Sequence, residues 1–523
     1  MEFSKKDFYG IAVKERKQVQ ITIDQDCNVP DTKPDVEKMI QTKGIVTIQE
    51  TEMMVDRIRL KGEFHFQGLY GTNDPRTFLE SLDYALPFEE YIHIDGVVPA
   101  DYVKVQYHVD DINTVLINSR KLSIRVLLMF TLQINEEMKE EVIVDIYNEG
   151  VSTLKKEIQV TDLVVSKKDI ARMKEELVLP ANKSNIYQIL WSQIDMENLQ
   201  GRLADHTIEI HGTMHVFLLY LGEDEQVPVQ YARWEVPIHT EIECQECILG
   251  MVGRIGIIPG NQQLEVRPDT DGEERLISVD MALDCDIKIY EDQVLSYVDD
   301  GYTMKAKLVP EYKMFDFETL IGKNQAVMRD SKRFAIQQEP GKLLQILTVK
   351  GSCSVDDIEV TDQGLKVEGV WMADVLYLST EDQMPVMSDS YMEPFTFFVE
   401  AKGLTKKDDY QLDVQLDQVT GNPVEGDEIE IKVSILFDFI SFHKKQQRVM
   451  VDMKEEKLDY QAIQNIPGIV GYIVKEGDTL WSIAKKYFTT VESIQEQNEG
   501  VEEVKPGDKL LIVKEIMTIA KDL

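Results

Sequence analysis

Three residues recur along this chain at one fixed spacing. Gly62 is followed by Tyr70 and Pro87, Gly212 by Tyr220 and Pro237, and Gly369 by Tyr377 and Pro394. With 29 Gly, 20 Tyr and 17 Pro in 523 residues, chance would supply about 0.04 such triples, so three of them mark a genuine internal period. The flanks keep the same phase. Met39-Ile40, Ile189-Leu190 and Ile346-Leu347 precede the three glycines, and Leu122–Val126, Ile277–Val279 and Ile429–Val433 follow the three prolines. The period of about 150 residues is the size of one domain, and 60.1 kDa is more chain than one hydrophobic core serves.

Each repeat reads as β. Leu60, Gly62, Phe64 and Phe66 alternate with polar residues, as do Val103, Val105, Tyr107 and Val109. Met214–Leu221 and Val370–Leu378 are more continuously apolar and are expected to be strands covered on both faces. Pro34–Ile40, with proline at its start and acidic neighbours, predicts a short helix opening the unit. Thr270–Glu273 and Thr420–Pro423 predict hairpin turns. The charged stretches Glu136–Glu141, Val165–Glu176 and Met304–Gln338 read as connectors. The expected division is 1–160, 161–315 and 316–445 for the repeats, 446–468 for a linker and 469–516 for a final module. Units of this kind form sandwiches or open barrels.

Composition narrows the function. Fifty-six Lys+Arg against 94 Asp+Glu give a net charge of −38, which argues against tracking nucleic acid or an anionic membrane surface. Cys27, Cys244, Cys247, Cys285 and Cys353 are few, odd in number and scattered, which is no disulfide framework and suits a reducing compartment. No secretory signal is visible at the N-terminus, and apolar stretches such as Val126–Phe130 fall far short of a membrane span. A cytosolic chain is expected.

Cys244-Gln-Glu-Cys247 invites a metal reading with His206, His211, His215 and His239 nearby, but no second cysteine pair completes a zinc site, and no metal is expected. His215 stands three residues after Gly212 as His65 does after Gly62, a repeated structural position. Ser152–Lys155 and Ser482–Lys485 match Ser-x-x-Lys without the companion elements, and neither a nucleophile elbow nor a phosphate-binding loop is present. No cofactor and no enzymatic activity are expected.

The C-terminal module is the most legible part. Gly471–Lys475 reads as a strand, Gly477-Asp478 as a turn, and Thr479 as the N-cap of a helix with Leu480, Ile483, Ala484 and Tyr487 on one face. A second helix starts near Thr489–Glu492 as a capping box, turns Val491 and Ile494 inward and ends at Asn498. Pro506-Gly-Asp508 then turns into the return strand Lys509–Val513. The pattern Tyr472-x-Val-x-x-Gly-Asp-Thr-Leu-Trp-x-Ile-Ala484, a later Asn498 and Lys505-Pro-Gly-Asp-Lys-Leu510 resembles a LysM domain over its full length. That resemblance implies a βααβ fold and a shallow groove for N-acetylglucosamine-containing glycans, bordered by Gly477, Asp478, Thr479, Leu480, Asn498, Val504 and Pro506. By their helical spacing Leu480, Trp481, Ile483, Tyr487 and Ile494 fit a core better than ligand contacts. The loop Glu499–Glu503 carries three carboxylates, which disfavours an anionic glycan.

The repeats resemble the SPOCS domain of sporulation proteins, above all through Cys27-Asn-Val-Pro-Asp-Thr-Lys-Pro-Asp-Val-Glu-Lys38. Three such units followed by one LysM module resemble the SipL type of spore coat morphogenetic protein. The chain is therefore expected to be multidomain and mainly β: three SPOCS-like sandwich or open-barrel repeats and a small βααβ LysM domain. The resemblance implies a non-enzymatic adaptor of the mother-cell cytoplasm, settled at the forespore surface and coat. The implied partner is the morphogenetic ATPase of the coat basement layer, SpoIVA, with the LysM module making contact. The alternative is a peptidoglycan-binding protein of wall or cortex.

Overall fold

The computed structural model describes residues 1–73, 78–223, 228–337, 342–380, 385–425, 427–458 and 465–514. The first repeat holds β1 (Phe3–Asn28), β2 (Lys38–Met54), β3 (Arg57–Gly71), β4 (Leu79–His93), β5 (Tyr102–Asn118) and β6 (Lys121–Ile146). The second holds β7 (Val151–Val178), β8 (Ile186–Ala204), β9 (Thr207–Gly222), β10 (Val229–Glu243), β11 (Val252–Pro268) and β12 (Glu274–Thr303). The third holds β13 (Lys307–Ala335), β14 (Leu343–Thr361), β15 (Gly364–Ser379), β16 (Val386–Glu400), β17 (Asp409–Val424) and β18 (Glu428–Glu456). All three have one topology: the first, last and fifth strands make one antiparallel sheet and the second, third and fourth make another.

The alternation read in the sequence builds these sandwiches. Phe64, Phe66 and Tyr70 of β3 and Leu82 and Leu86 of β4 face Ile124, Val126, Leu128 and Phe130 of β6 in one buried core. The second and third repeats each have a corresponding core. The continuously apolar strand β9 is buried on both sides as expected. Met214, Val216, Leu218 and Tyr220 enter the core of their own repeat, while Phe217, Leu219 and Leu221 point into a cluster shared with the other two.

The period residues are framework. Pro87, Pro237 and Pro394 lie exposed in β4, β10 and β16, each an outer strand of its sheet, where a missing N–H costs no ladder bond. Tyr70 and Tyr220 donate their hydroxyls to the carbonyls of Pro34 and Ser184, at 3.0 and 3.2 Å. Tyr377 instead donates to the Asp389 carboxylate at 3.2 Å. Gly369 opposes Phe395 across the strands, and a Cβ there would lie 2.2 Å from the Ser354 carbonyl oxygen and 2.8 Å from the Phe395 ring. Gly62 repeats this with Thr47 and Phe88, whereas at Gly212 the nearest atoms lie 3.2 Å away. Gly369→Ala is therefore expected to cost about 1–3 kcal/mol in denaturant unfolding, and Gly212→Ala distinctly less. Equal costs would refute close backbone approach as the reason for the glycine.

Several expectations need correction. Pro34–Ile40 forms no helix: Val36 and Glu37 donate their N–H groups to Ser119 and Gly71, and β2 begins at Lys38. A stretch so short cannot nucleate a helix against such bonds. Thr420–Pro423 lies inside β17, which runs on to Val424, while a turn does occur at Asp269–Glu273, with Gly272 at φ 83°. The charged connectors are strand. Glu136–Glu141 belongs to β6, Val165–Glu176 to β7 and Met304–Gln338 mostly to β13; Gln338 is outside the described residues. Sheet boundaries accordingly fall after Ile146, Thr303 and Glu456. The break expected at 160/161 cuts β7, that at 315/316 cuts β13, and the first part of the expected linker is the end of β18. Of that linker, 459–464 lie outside the described residues, as do 515–516 of the last module.

The long strands exist because each first and last strand serves two cores. β1 with β6, β7 with β12 and β13 with β18 pair far beyond their sandwiches. Each pair has a register shift where it leaves the sandwich, at Val13/Glu15, Ile289/Tyr290 and Leu320/Gly322. Such bulges re-aim side chains. Beyond them Phe8, Val142, Ile158, Tyr297, Phe315 and Val449 pack together from all three repeats.

The repeats meet in an approximate threefold arrangement. Leu69, Leu219 and Leu376 each stand seven residues after their glycine, and all three lie in one buried cluster with Leu79, Val386, Leu190, Leu347 and Trp191. At a second meeting point the residues are charged. Lys104 of β5, Arg254 of β11 and Asp413 of β17 form an ion cluster with one member from each repeat. Lys104 donates to Asp413 Oδ1 at 3.0 Å, and Arg254 to Asp413 Oδ2.

Candidate partner-binding site

The last module comprises β19 (Ile469–Ile473), α1 (Leu480–Tyr487), α2 (Val491–Gln497) and β20 (Lys509–Val513), the two strands pairing antiparallel. Tyr472, Val474, Leu480, Ile483, Ala484, Ile494, Leu510 and Ile512 make its core, with Tyr487 and Val491 packed against it. Thr479 caps α1 as expected, its hydroxyl accepting from Ser482 N at 3.1 Å while Ser482 Oγ accepts from Thr479 N at 2.9 Å. The second helix is capped by Thr490, one residue later than the start of the expected capping box; Thr489 is buried.

Both loops bordering the groove use one device. In Lys475-Glu-Gly-Asp478 the aspartate Oδ2 accepts from Lys475 N at 2.8 Å, and in Lys505-Pro-Gly-Asp508 it accepts from Lys505 N at 2.8 Å. Gly477 and Gly507 take φ of 87° and 96°, which explains glycine at both places. Asp478 also accepts from the Tyr472 hydroxyl at 2.6 Å, and this bond first, with the Lys475 amide second, holds its carboxyl below the usual range.

The expected groove residues therefore divide. Gly477, Thr479 and Pro506 are exposed on the two loops. Asp478 is committed to its turn, and Leu480 and the half-buried Val504 to the core. Asn498 is a clamp: its amide donates to Ile494 O at 2.7 Å and Leu511 O at 2.8 Å and accepts from Leu511 N at 2.7 Å, tying α2 to β20. The available surface is thus backbone and short side chains, rimmed by the exposed Glu499, Glu502 and Glu503.

The contacts that sequence reasoning missed are between this module and the second repeat. Trp481 is only partly core. Its indole N–H donates to Asp300 Oδ2 at 2.9 Å, and Tyr302 lies edge-on to its ring at 4.8 Å. Nothing in the module's own pattern marks them, since Asp300 and Tyr302 lie some 180 residues away.

Cys244 and Cys247 lie in the core of the second repeat. Both thiols are buried, and burial with the neighbouring Cys244 pushes Cys247 up to about 12. Their places correspond to Ile94 and Val97 in the first repeat, with matching bonds: Ile94 N and Cys244 N donate to Asp56 O and His206 O at 3.0 Å. His206 Nδ1 is occupied by Gln245 O at 2.7 Å, His211 stacks on His239, and His215 pairs with Glu197 at 2.9 Å. Among the described residues no group of three or more His, Cys, Asp or Glu side chains converges as a metal ion would require, and no helix is long and apolar enough to cross a membrane.

Comparison with known families matches the SipL, SPOCS domain at residues 35–117 and 342–424, and the LysM domain at 472–513. The chain carries SPOCS and LysM domains. The two SPOCS matches run through β2–β5 of the first unit and β14–β17 of the third. The second unit has the same strand order, so the LysM domain follows three units of SPOCS topology. Together these domains are those of a sporulation protein of the coat-associated, LysM-containing kind. No curated protein and no solved structure matches the chain.

Proposed function

We propose that this chain is a non-enzymatic adaptor of spore coat assembly. It works at the forespore surface from the mother-cell cytoplasm, and its LysM domain grips a protein, the morphogenetic ATPase of the coat basement layer. The observation that carries this reading is the division of labour in the LysM loops. Asp478 and Asn498 are consumed by turns and clamps, and the exposed rim holds Glu499, Glu502 and Glu503. A carboxylate rim disfavours the anionic peptidoglycan and suits a partner offering cations and backbone amides. The repeated Gly, Tyr and Pro support the same view, being taken up by close packing, hydroxyl ties and sheet edges.

The test is binding of the purified full chain to the purified ATPase and, separately, to insoluble peptidoglycan. Retention of the ATPase, lost when Glu502 and Glu503 are changed to Lys, is expected. Salt-insensitive retention of peptidoglycan without ATPase binding would overturn the reading in favour of a wall or cortex glycan binder.

A further inference from the structure

We propose that the LysM domain is latched to the second SPOCS unit through one carboxylate, Asp300, so that it acts from a fixed seat rather than from a free tether. The latch stands whatever the partner is. Near the end of β12 the pairing with β7 shifts between Val298 and Asp300. The Asp300 carboxylate accepts from Gly301 N at 2.8 Å, which fixes its direction. It then receives three bonds from α1: Lys485 Nζ at 2.7 and 2.8 Å and Trp481 Nε1 at 2.9 Å. Trp481 and Lys485 are four residues apart and share one helical face. Two residues on, Tyr302 is 5% exposed and donates its hydroxyl to the Thr489 carbonyl at 2.9 Å, just past the end of α1. Tyr302 and Met304 complete the LysM core cluster itself.

The other two units show that the bulge is general and its use is particular. Asp145 and Asp452 follow the same register shift, and each accepts from the next residue's N–H, at 2.9 and 2.8 Å. Among the described residues, neither makes a hydrogen bond or ion pair with the LysM domain. Asp145 pairs with Lys155 at 3.2 Å, Tyr147 stands 63% exposed, and the third unit has Lys454 in place of a tyrosine. Only the second unit combines the bulge aspartate with a tyrosine under the LysM helix. The seat occupies the Trp481 indole N–H and the Lys485 ammonium, while Gly477, Thr479 and Pro506 stay exposed.

The test uses the full chain and follows two readouts: proteolysis between Glu456 and Ile469, and hydrogen exchange of α1. Loss of charge-assisted bonds in a partly buried setting is expected to raise both rates at least about tenfold in Lys485→Asp and in Asp300→Lys. The double swap should return them to within about threefold of the parent. Tyr302→Phe, which keeps the ring and removes only the hydroxyl, should give a smaller rise. Should Asp300→Lys fail to fold, Lys485→Asp and Tyr302→Phe still decide. Parent-like rates in Lys485→Asp, or a folded double swap no closer to the parent than the single variants, would overturn the latch.

Discussion

Asp413→Ala should destabilise the chain by about 3–5 kcal/mol, although it removes only a small side chain. Burial alone would raise the Asp413 carboxyl, but Arg254 first and Lys104 second outweigh it and bring it down to about 2. The alanine variant leaves Arg254, which is 3% exposed, and Lys104 without their shared anion. An uncompensated buried charge is far more costly than a buried pair is favourable. Replacing all three residues with apolar ones of similar volume, Lys104→Met, Arg254→Met and Asp413→Leu, should therefore recover most of the loss. Chemical denaturation of parent, single and triple variants checks this, and a triple variant as unstable as the single would refute it. The sign of the pH dependence is fixed as well. With a folded value near 2 and an unfolded value near 3.9, Asp413 supplies stability that is complete above the unfolded value and lost as pH falls through the folded one. The acid limb of the stability curve should flatten between about pH 4 and 2 in the triple variant.

Trp191→Ala should cost about 3–5 kcal/mol, because Trp191 is wholly buried where the three units join. It shares one buried cluster with Leu69 of the first unit, Leu219 of its own and Leu376 of the third, so the cavity would open between units as well as within one. A second readout separates this from a loss within the second unit alone. The Lys43 ammonium, from the first unit, lies 4.5 Å from the Trp191 ring and donates to the Ser192 carbonyl. Burial first, and Lys350 second, push Lys43 down to about 7, against the opposing pull of Asp195 and Asp83. The unfolded chain then holds the extra proton between about pH 7 and 10.4, and stability rises with pH across that window. Water entering the cavity would return Lys43 toward its ordinary value and flatten the rise. A variant with the full pH slope and parent stability would show that the joint does not depend on Trp191.

Much of the candidate site was legible because LysM is locally encoded. Turn glycines, a capping threonine and the stripe Leu480, Ile483, Ala484 all lie within one short stretch, and the structure places them as read. Asn498 was recognised as a marker, but its role as a clamp on Leu511 needed the return strand in place. Trp481 looked like core because its helical phase says so. Its indole N–H goes instead to Asp300, a residue that no pattern in the module points to.

By itself the sequence determined the threefold period, the β character of each unit and the LysM module, because spacing and alternation are properties of neighbouring residues. Tertiary structure alone decided how far the strands run and where the units meet. Val165–Glu176 reads as a charged connector, yet in β7 Lys168, Arg172, Lys174 and Glu176 lie on a wet face while Val165, Ala171 and Met173 turn toward the core. A strand with one solvated face needs only half its residues apolar, so charge density cannot distinguish it from a loop. Likewise Lys104, Arg254 and Asp413 resemble any other charges in a chain of net −38. Only the packing of three sandwiches takes them out of water and makes each depend on the others.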